Sequence, residues 1–117
     1  MTNGHERRLR CLVVGREKAV AEVVGWGVAA TLESMGHSVG HVWSGKEGIS
    51  RVKADHFDLV LLDGQERLKN ARAIKLANPH ARVILMTANP MLEEAEGVDA
   101  VLVKPFGEDE LKKALVG

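Results

Sequence analysis

Three polar residues that could take part in phosphoryl chemistry each follow a short apolar run. These residues are Asp63, Thr87 and Lys104. An aspartate carboxylate is a nucleophile that can form an acyl phosphate, and a hydroxyl and an ammonium group can bind the oxygens of that phosphate. The chemistry therefore depends on whether the fold brings the three side chains to one place.

The apolar run that ends at Asp63 predicts the central strand of a parallel sheet. Residues 59–62 are all apolar, which is typical of a strand buried on both faces. Helical segments separate it from four other predicted strands, at residues 10–15, 38–43, 82–86 and 100–103. Because the crossovers between parallel strands are right-handed, this order predicts helices on both faces of the sheet. The carboxyl ends of the strands share one edge, where α/β proteins bind ligands.

Apolar residues at helical spacing predict the helices between the strands. One such stripe predicts a helix that ends at Gly36, a natural C-cap. Gly25 and Gly27 weaken the first part of this helix, so the segment Glu17 to Gly27 could form a helix or a loop. Further helices are predicted from Ser44 or Gly45 to about Asp55, at residues 65–77, at residues 91–96 and after Gly107.

The composition predicts a single soluble domain. The chain has 117 residues, and its 16 basic and 16 acidic residues balance, so nothing indicates direct binding to nucleic acid or to a membrane. Residues 1–9 are expected to form a flexible leader and residues 10–117 a single domain. The one cysteine, Cys11, excludes an internal disulfide and favours a reducing compartment, so a cytoplasmic protein is expected. Cys11 itself is expected to be an inert buried thiol.

The motifs at the strand ends resemble those of the receiver domain of two-component response regulators. The resemblance is carried by the run before Asp63, by Thr87-Ala88 and by Lys104-Pro105-Phe106, and it covers residues 10–116. It implies a flavodoxin-like, doubly wound sheet of five parallel strands in the order 2-1-3-4-5. It also implies that a histidine kinase phosphorylates Asp63 with magnesium bound, that Thr87 is the switch hydroxyl and that Lys104 binds the phosphate. The implied function is a stand-alone receiver in phosphorelay signal transduction, which acts through protein contacts and is not an independent enzyme.

The chain departs from that family after the first strand. Receivers carry a pair of acidic residues there to hold magnesium, whereas this chain has Gly15-Arg16. Because magnesium requires oxygen ligands in a near-octahedral arrangement, the site is expected to be degraded, with Asp63 and Glu17 as candidate ligands. Glu22 could also approach from the same segment. Alternatively, the guanidinium of Arg16 could lie beside Asp63 and leave it a weak nucleophile.

Other departures concern the regions through which receivers contact their partners. Val101 stands where many receivers have an aromatic residue, Gly64-Gln65-Glu66 replaces the usual turn, and the third and fourth helical regions are expected to be short. These departures leave open a pseudo-receiver that binds partners without phosphorylation. A small-molecule or cofactor-binding domain of the same fold is a third hypothesis, although no Gly-x-Gly-x-x-Gly motif follows the first strand.

The tryptophans and two of the histidines carry weaker indications. Trp26 and Trp43 are expected to be partly buried packing residues, with partner contact as the less favoured alternative. His37 and His41 lie close in sequence, but no cysteine or acidic residue completes a zinc site with them. No metal other than magnesium is therefore expected.

Overall fold

The computed structural model describes residues 8–15, 27–63, 67–88 and 98–116. These ranges contain five strands: β1 (Arg10–Val14), β2 (Ser38–Val42), β3 (Leu59–Leu62), β4 (Arg82–Thr87) and β5 (Ala100–Val103). The strands form one sheet in the order β2-β1-β3-β4-β5, and every neighbouring pair is parallel. The predicted flavodoxin-like fold is confirmed, with β3 at the centre of the sheet.

Four helices lie in the described ranges: α1 (Val28–Ser34), α2 (Gly45–Ala54), α3 (Arg67–Ala77) and α4 (Glu108–Leu115). Helix α2 begins as predicted, because the hydroxyl of Ser44 accepts a hydrogen bond from the Glu47 N–H at 3.2 Å. The predicted helix at residues 91–96 lies outside the described residues, as does the part of the segment Glu17 to Gly27 that precedes Gly27.

Gly36 ends α1 through a backbone conformation that favours glycine. Its φ is +93°, and the Gly36 N–H donates to the carbonyl of Glu33 at 2.9 Å while the His37 N–H donates to that of Leu32 at 3.1 Å. These two bonds are those of a Schellman motif, which satisfies carbonyls at the end of a helix. The chain therefore turns sharply into β2, at the position that the sequence predicts.

The four residues of β3 divide the core between the two faces of the sheet. Leu59 and Leu61 pack in a cluster with residues of α1 and α4, whereas Val60 and Leu62 pack in a second cluster with residues of α2 and α3. All four are buried, as the continuous apolar run predicts for a strand covered on both sides. This burial fixes the strand that ends at Asp63.

Only some of the apolar residues of helix α3 reach the core. Ala71 and Ile74 are fully buried, whereas Leu68 and Leu76 are 40% and 85% exposed. With 3.6 residues per turn, Leu76 falls on the side of the helix away from the sheet, whereas Leu68 lies at the edge of the buried side. Helix α3 is therefore held to the sheet by small and β-branched side chains.

Candidate functional site

The topology brings the three polar residues predicted from the sequence to one edge of the sheet. Strands β3, β4 and β5 are consecutive neighbours. Asp63 follows β3, Thr87 is the last residue of β4, and Lys104 follows β5. Because the strands are parallel, all three residues lie at the carboxyl edge.

A direct contact joins two of these residues. The ammonium group of Lys104 donates a hydrogen bond to Oδ2 of Asp63. The side chains of Lys104 and Asp63 are only 13% and 8% exposed. A charged group removed from water in this way is stabilised by an opposite charge within hydrogen-bond distance, so each of the two side chains holds the other in place.

Thr87 lies between these two groups in the order of the strands. It is 2% exposed, and its backbone carbonyl accepts a hydrogen bond from the Lys104 N–H at 2.7 Å. This bond continues the pairing of β4 and β5 one residue beyond β5. After the cis Lys104–Pro105 peptide bond, Phe106 packs in the core. The backbone that carries the lysine is therefore attached to the sheet on both sides of it.

The end of β1 forms the other flank of Asp63. The Asp63 N–H donates to the carbonyl of Val14 at 2.9 Å, and the Gly15 N–H donates to the carbonyl of Val42 at 3.0 Å. The carbonyl of Gly15 lies 2.8 Å from Nε2 of His41. The imidazole of His41 in turn lies against Trp43, with ring centroids 4.5 Å apart.

These contacts of His41 were not predicted from the sequence. The alternating pattern of the second strand places His41 on the face opposite Val42, but it gives no indication that the ring reaches the end of β1. Trp43 is 52% exposed, so about half of its surface remains in contact with solvent although it packs against His41. It lies directly after β2 and covers the histidine ring.

The described residues do not by themselves form a magnesium site. Arg16, Glu17 and Glu22 lie outside them, so the proposed contact between Arg16 and Asp63 and the proposed ligand Glu17 stay predictions. Gly15 has no side chain to offer. In the part of the chain that the structure describes, no three His, Cys, Asp or Glu residues are grouped so that they could hold a metal ion. Since magnesium requires several oxygen ligands, Asp63 would need ligands from elsewhere.

The structure also shows what His37 and Cys11 do, two residues that the sequence analysis considered. Nδ1 of His37 accepts a hydrogen bond from the Leu9 N–H at 3.1 Å, which requires that this nitrogen carry no proton. Burial lowers the pKa of His37, which agrees with its role as a neutral hydrogen-bond acceptor.

Burial raises the pKa of the Cys11 thiol to about 12. The reactive thiolate is therefore scarce near neutral pH, as expected for an inert cysteine.

Residues 12–116 match the family model of the response regulator receiver domain. The chain belongs to this family. Among curated proteins it is similar to the transcriptional regulatory protein DltR of Streptococcus agalactiae, with 33% identity over an alignment of 115 residues; the match covers 88% of this chain and 48% of that protein. The chain thus spans about half the length of this relative.

Solved structures of receivers share the fold. The response regulator protein TrrA from Thermotoga maritima is 29% identical, with a TM-score of 0.76 over 92% of this chain and 99% of that one. The chemotaxis response regulator CheY4 of Vibrio cholerae is 20% identical, with a TM-score of 0.78 over 93% of this chain and 97% of that one. None of the helices that the structure describes has the length and apolar character needed to cross a membrane.

Proposed function

We propose that this receiver domain accepts a phosphoryl group on Asp63 and transmits the signal through contacts with other proteins. The contact between Lys104 and Asp63 at the carboxyl edge of the sheet is the observation that carries the proposal. It places an ammonium group where it can bind the oxygens of a phosphoryl group on the same carboxylate. Thr87, at the end of the strand between them, is proposed to supply the hydroxyl.

The proposed reaction transfers a phosphoryl group between two nucleophiles. A carboxylate oxygen of Asp63 attacks the phosphorus atom of a phosphohistidine, a new O–P bond forms, and the N–P bond of the donor breaks. The released imidazole keeps the electron pair of that bond and takes up a proton. Attack of water on the acyl phosphate later returns the carboxylate of Asp63 and inorganic phosphate. The domain is therefore proposed as a substrate of a histidine kinase and not as an independent enzyme.

Lys104 has to exchange its partner during this reaction. In the unphosphorylated domain its ammonium binds Oδ2 of Asp63. After transfer, the negative charge is on the phosphoryl oxygens, and the ammonium is proposed to follow it. The lysine would then stabilise the charge that develops on phosphorus, which is the usual contribution of a positioned cation to phosphoryl transfer.

The metal requirement is a separate part of the proposal. The TrrA structure is of a complex with Mg²⁺-BeF, and the ion would supply further positive charge to the phosphoryl oxygens. We propose Asp63 and Glu17 as the carboxylates of this chain that would hold magnesium. Because the described residues alone do not form such a site, no step of the reaction above depends on it.

The proposal is tested by incubating the domain with phosphoramidate or acetyl phosphate, with and without magnesium, and recording the intact mass. A gain of one phosphoryl group that is absent in Asp63→Asn supports Asp63 as the acceptor. Asp109→Asn is the matched control, because Asp109 is an exposed residue of the first turn of α4, and it should be modified like the wild type. Modification of Asp63→Asn to the wild-type extent would contradict the proposal.

A pseudo-receiver that binds partners without phosphorylation is the second candidate. The observation that favours it is the end of β1, where Gly15 brings no carboxylate to the site. A folded wild type that gains no mass, together with an Arg16→Asp variant that does, would support this second candidate. It would also show that the residue after Gly15 prevents phosphorylation.

A further inference from the structure

We propose that His41 is a positioning residue, which fixes the end of β1 against Asp63. The proposal starts from the peptide group between Val14 and Gly15. Its carbonyl accepts a hydrogen bond from the Asp63 N–H, and its N–H donates to the carbonyl of Val42. This one peptide group therefore connects the residue that carries the candidate carboxylate with the edge strand β2.

The next carbonyl of the chain is that of Gly15, and β2 is too short to supply its regular backbone donor. In a parallel ladder the N–H and the carbonyl of one residue point to the same neighbouring strand, so the Gly15 carbonyl points towards β2. An N–H group two residues beyond Val42 would be its regular donor, but β2 ends at Val42. Nε2 of His41 lies 2.8 Å from this carbonyl. The imidazole thus extends the pairing of β1 and β2 by one hydrogen bond.

The chemistry of the acceptor fixes the state of the ring. A carbonyl oxygen only accepts hydrogen bonds, so Nε2 of His41 must carry a proton. Trp43 packs against the imidazole with an interplanar angle of 38°, which limits the rotation of the ring. The N–H group at Nε2 is therefore the donor, and the ring that carries it is held in one orientation.

The backbone of Gly15 explains why this anchor has an effect on the site. The φ of Gly15 is +154°, a conformation that residues with side chains rarely adopt. A glycine gains conformational freedom when one of its hydrogen bonds is lost, so the carbonyl of Gly15 is held less firmly without His41. We therefore expect the imidazole to hold the backbone beside Asp63 in the geometry in which the carboxylate meets a phosphoryl donor.

Two substitutions separate the hydrogen bond from the packing of the ring. His41→Gln keeps an N–H donor at the Nε2 position, because the side-chain amide of glutamine reaches the same place. His41→Leu keeps an apolar group of similar size and removes the donor. Amide hydrogen exchange is measured for Gly15 and Asp63, with Leu61 in the middle of β3 as the control for unfolding of the whole domain.

The expected result is local. In His41→Leu the amides of Gly15 and Asp63 should exchange about three- to tenfold faster, the change that loss of one hydrogen bond produces, while Leu61 keeps its rate. In His41→Gln all three rates should stay close to those of the wild type. Equal acceleration at Leu61, unchanged rates in His41→Leu, or equal effects of both substitutions would overturn the inference.

The role in phosphoryl transfer rests on the proposed function and has its own measurement. At saturating phosphoramidate, the rate constant for modification of Asp63 should fall about tenfold in His41→Leu, because a shifted acceptor loses alignment with the donor. It should recover in His41→Gln. A wild type that is not modified at all would refute the proposed function, and the exchange rates of Gly15 and Asp63 would then decide the positioning role alone. A modified wild type with no slowing in His41→Leu would overturn the inference and leave the proposed function standing.

Discussion

The ammonium of Lys104 reaches across the end of β4 to the carboxylate of Asp63. The two residues follow β5 and β3, which are not neighbours in the sheet. Both side chains are largely buried, so their charges have lost most of their contact with water. This pair therefore links three strands at the candidate site, and its two members should not be removable one at a time without a cost in stability.

Lys104→Met takes the ammonium group of Lys104 away from the buried carboxylate of Asp63. We expect the free energy of unfolding to fall by about 2–3 kcal/mol, because a buried charge that loses a hydrogen-bonded cation still carries the penalty for leaving water. The measurement is a urea titration followed by circular dichroism. The double variant Lys104→Met/Asp63→Asn should recover a large part of the loss, since it also removes the buried charge.

A matched control for this experiment lies on α4. Lys112 pairs with Glu108 at 3.0 Å, but both side chains are 54% exposed. Exposed pairs at this spacing contribute about 0.5 kcal/mol or less, so Lys112→Met should change the unfolding free energy little. If Lys104→Met is no more destabilising than Lys112→Met, the burial of the pair has no energetic effect.

The sequence alone was sufficient for the sheet and for the residues at its carboxyl edge. The four apolar residues of β3 have to be buried on both sides, and this requirement predicts a central parallel strand and places Asp63 at its end. Thr87 and Lys104 follow from the same argument applied to β4 and β5. Such predictions succeed because they depend on the period and length of apolar runs, which are local properties of the chain.

The contacts of side chains around the site were not predictable in this way. In the alternating pattern of β2, His41 looks like any other half-exposed residue of an edge strand, so the pattern does not distinguish it as a contact of Gly15. Its contact with Gly15 depends on where β2 ends relative to β1, and no local pattern records this. The exposure of Leu76 has a similar cause, because an apolar residue of a helix is buried only if the helix turns that side to the sheet.

The first turn of α2 lies against Asn70 of α3, and Gly45 permits this contact. A Cβ added to Gly45 would overlap the side-chain amide of Asn70. We expect Gly45→Ala to destabilise the domain by about 1 kcal/mol, at the low end of the range for overpacking, because the flexible side chain of Asn70 can rotate aside. The double variant Gly45→Ala/Asn70→Ala should regain this loss, because the smaller side chain makes room for the new methyl group.

The measurement for this pair is a double-mutant cycle by urea unfolding. Asn70→Ala alone provides the fourth corner, and the coupling between the two substitutions should be positive, so that the double variant is more stable than the sum of the single effects predicts. Additive effects would show that Asn70 moves away from the added methyl group without a cost.

The pair of Arg10 and Asp55 at the opposite edge of the sheet predicts how stability changes with pH. The guanidinium donates two hydrogen bonds to the carboxylate, at 2.9 and 2.8 Å. With the His56 N–H, these bonds lower the pKa of Asp55 from 3.8 to about 2. The folded state therefore binds this proton less readily than the unfolded chain does. The contribution of the pair is present above about pH 4 and is lost as the pH falls towards 2.

Urea midpoints of the wild type and Asp55→Asn test this dependence. The wild type should be the more stable at pH values above 4, and the difference should shrink as the pH is lowered through the pKa of the folded state. Added salt should also reduce it, because both side chains are exposed and their charges are screened. A difference that is constant between pH 5 and about pH 2 would be evidence against a lowered pKa of Asp55.

Arg82 of β4 attaches the end of α4 to the sheet. Its Nε donates to the carbonyl of Ala114 at 2.6 Å, and a terminal nitrogen donates to that of Val116 at 3.3 Å. The carbonyls at the end of a helix have no partner within it, so a guanidinium is well suited to bind them. Arg82→Met should lower the unfolding free energy by about 1–2 kcal/mol, as expected for hydrogen bonds to a charged group.

The effect of Arg82→Met should be largest near the bonds that it removes. Hydrogen exchange should therefore accelerate most in the last turn of α4, and much less in β3, since that strand is buried on both sides. Arg82→Lys should have an intermediate effect, because an ammonium group can bind one of the two carbonyls but lacks the planar fork of the guanidinium. If Arg82→Met changes the exchange of α4 and of β3 by the same factor, the arginine stabilises the sheet as a whole and is not an anchor for the helix.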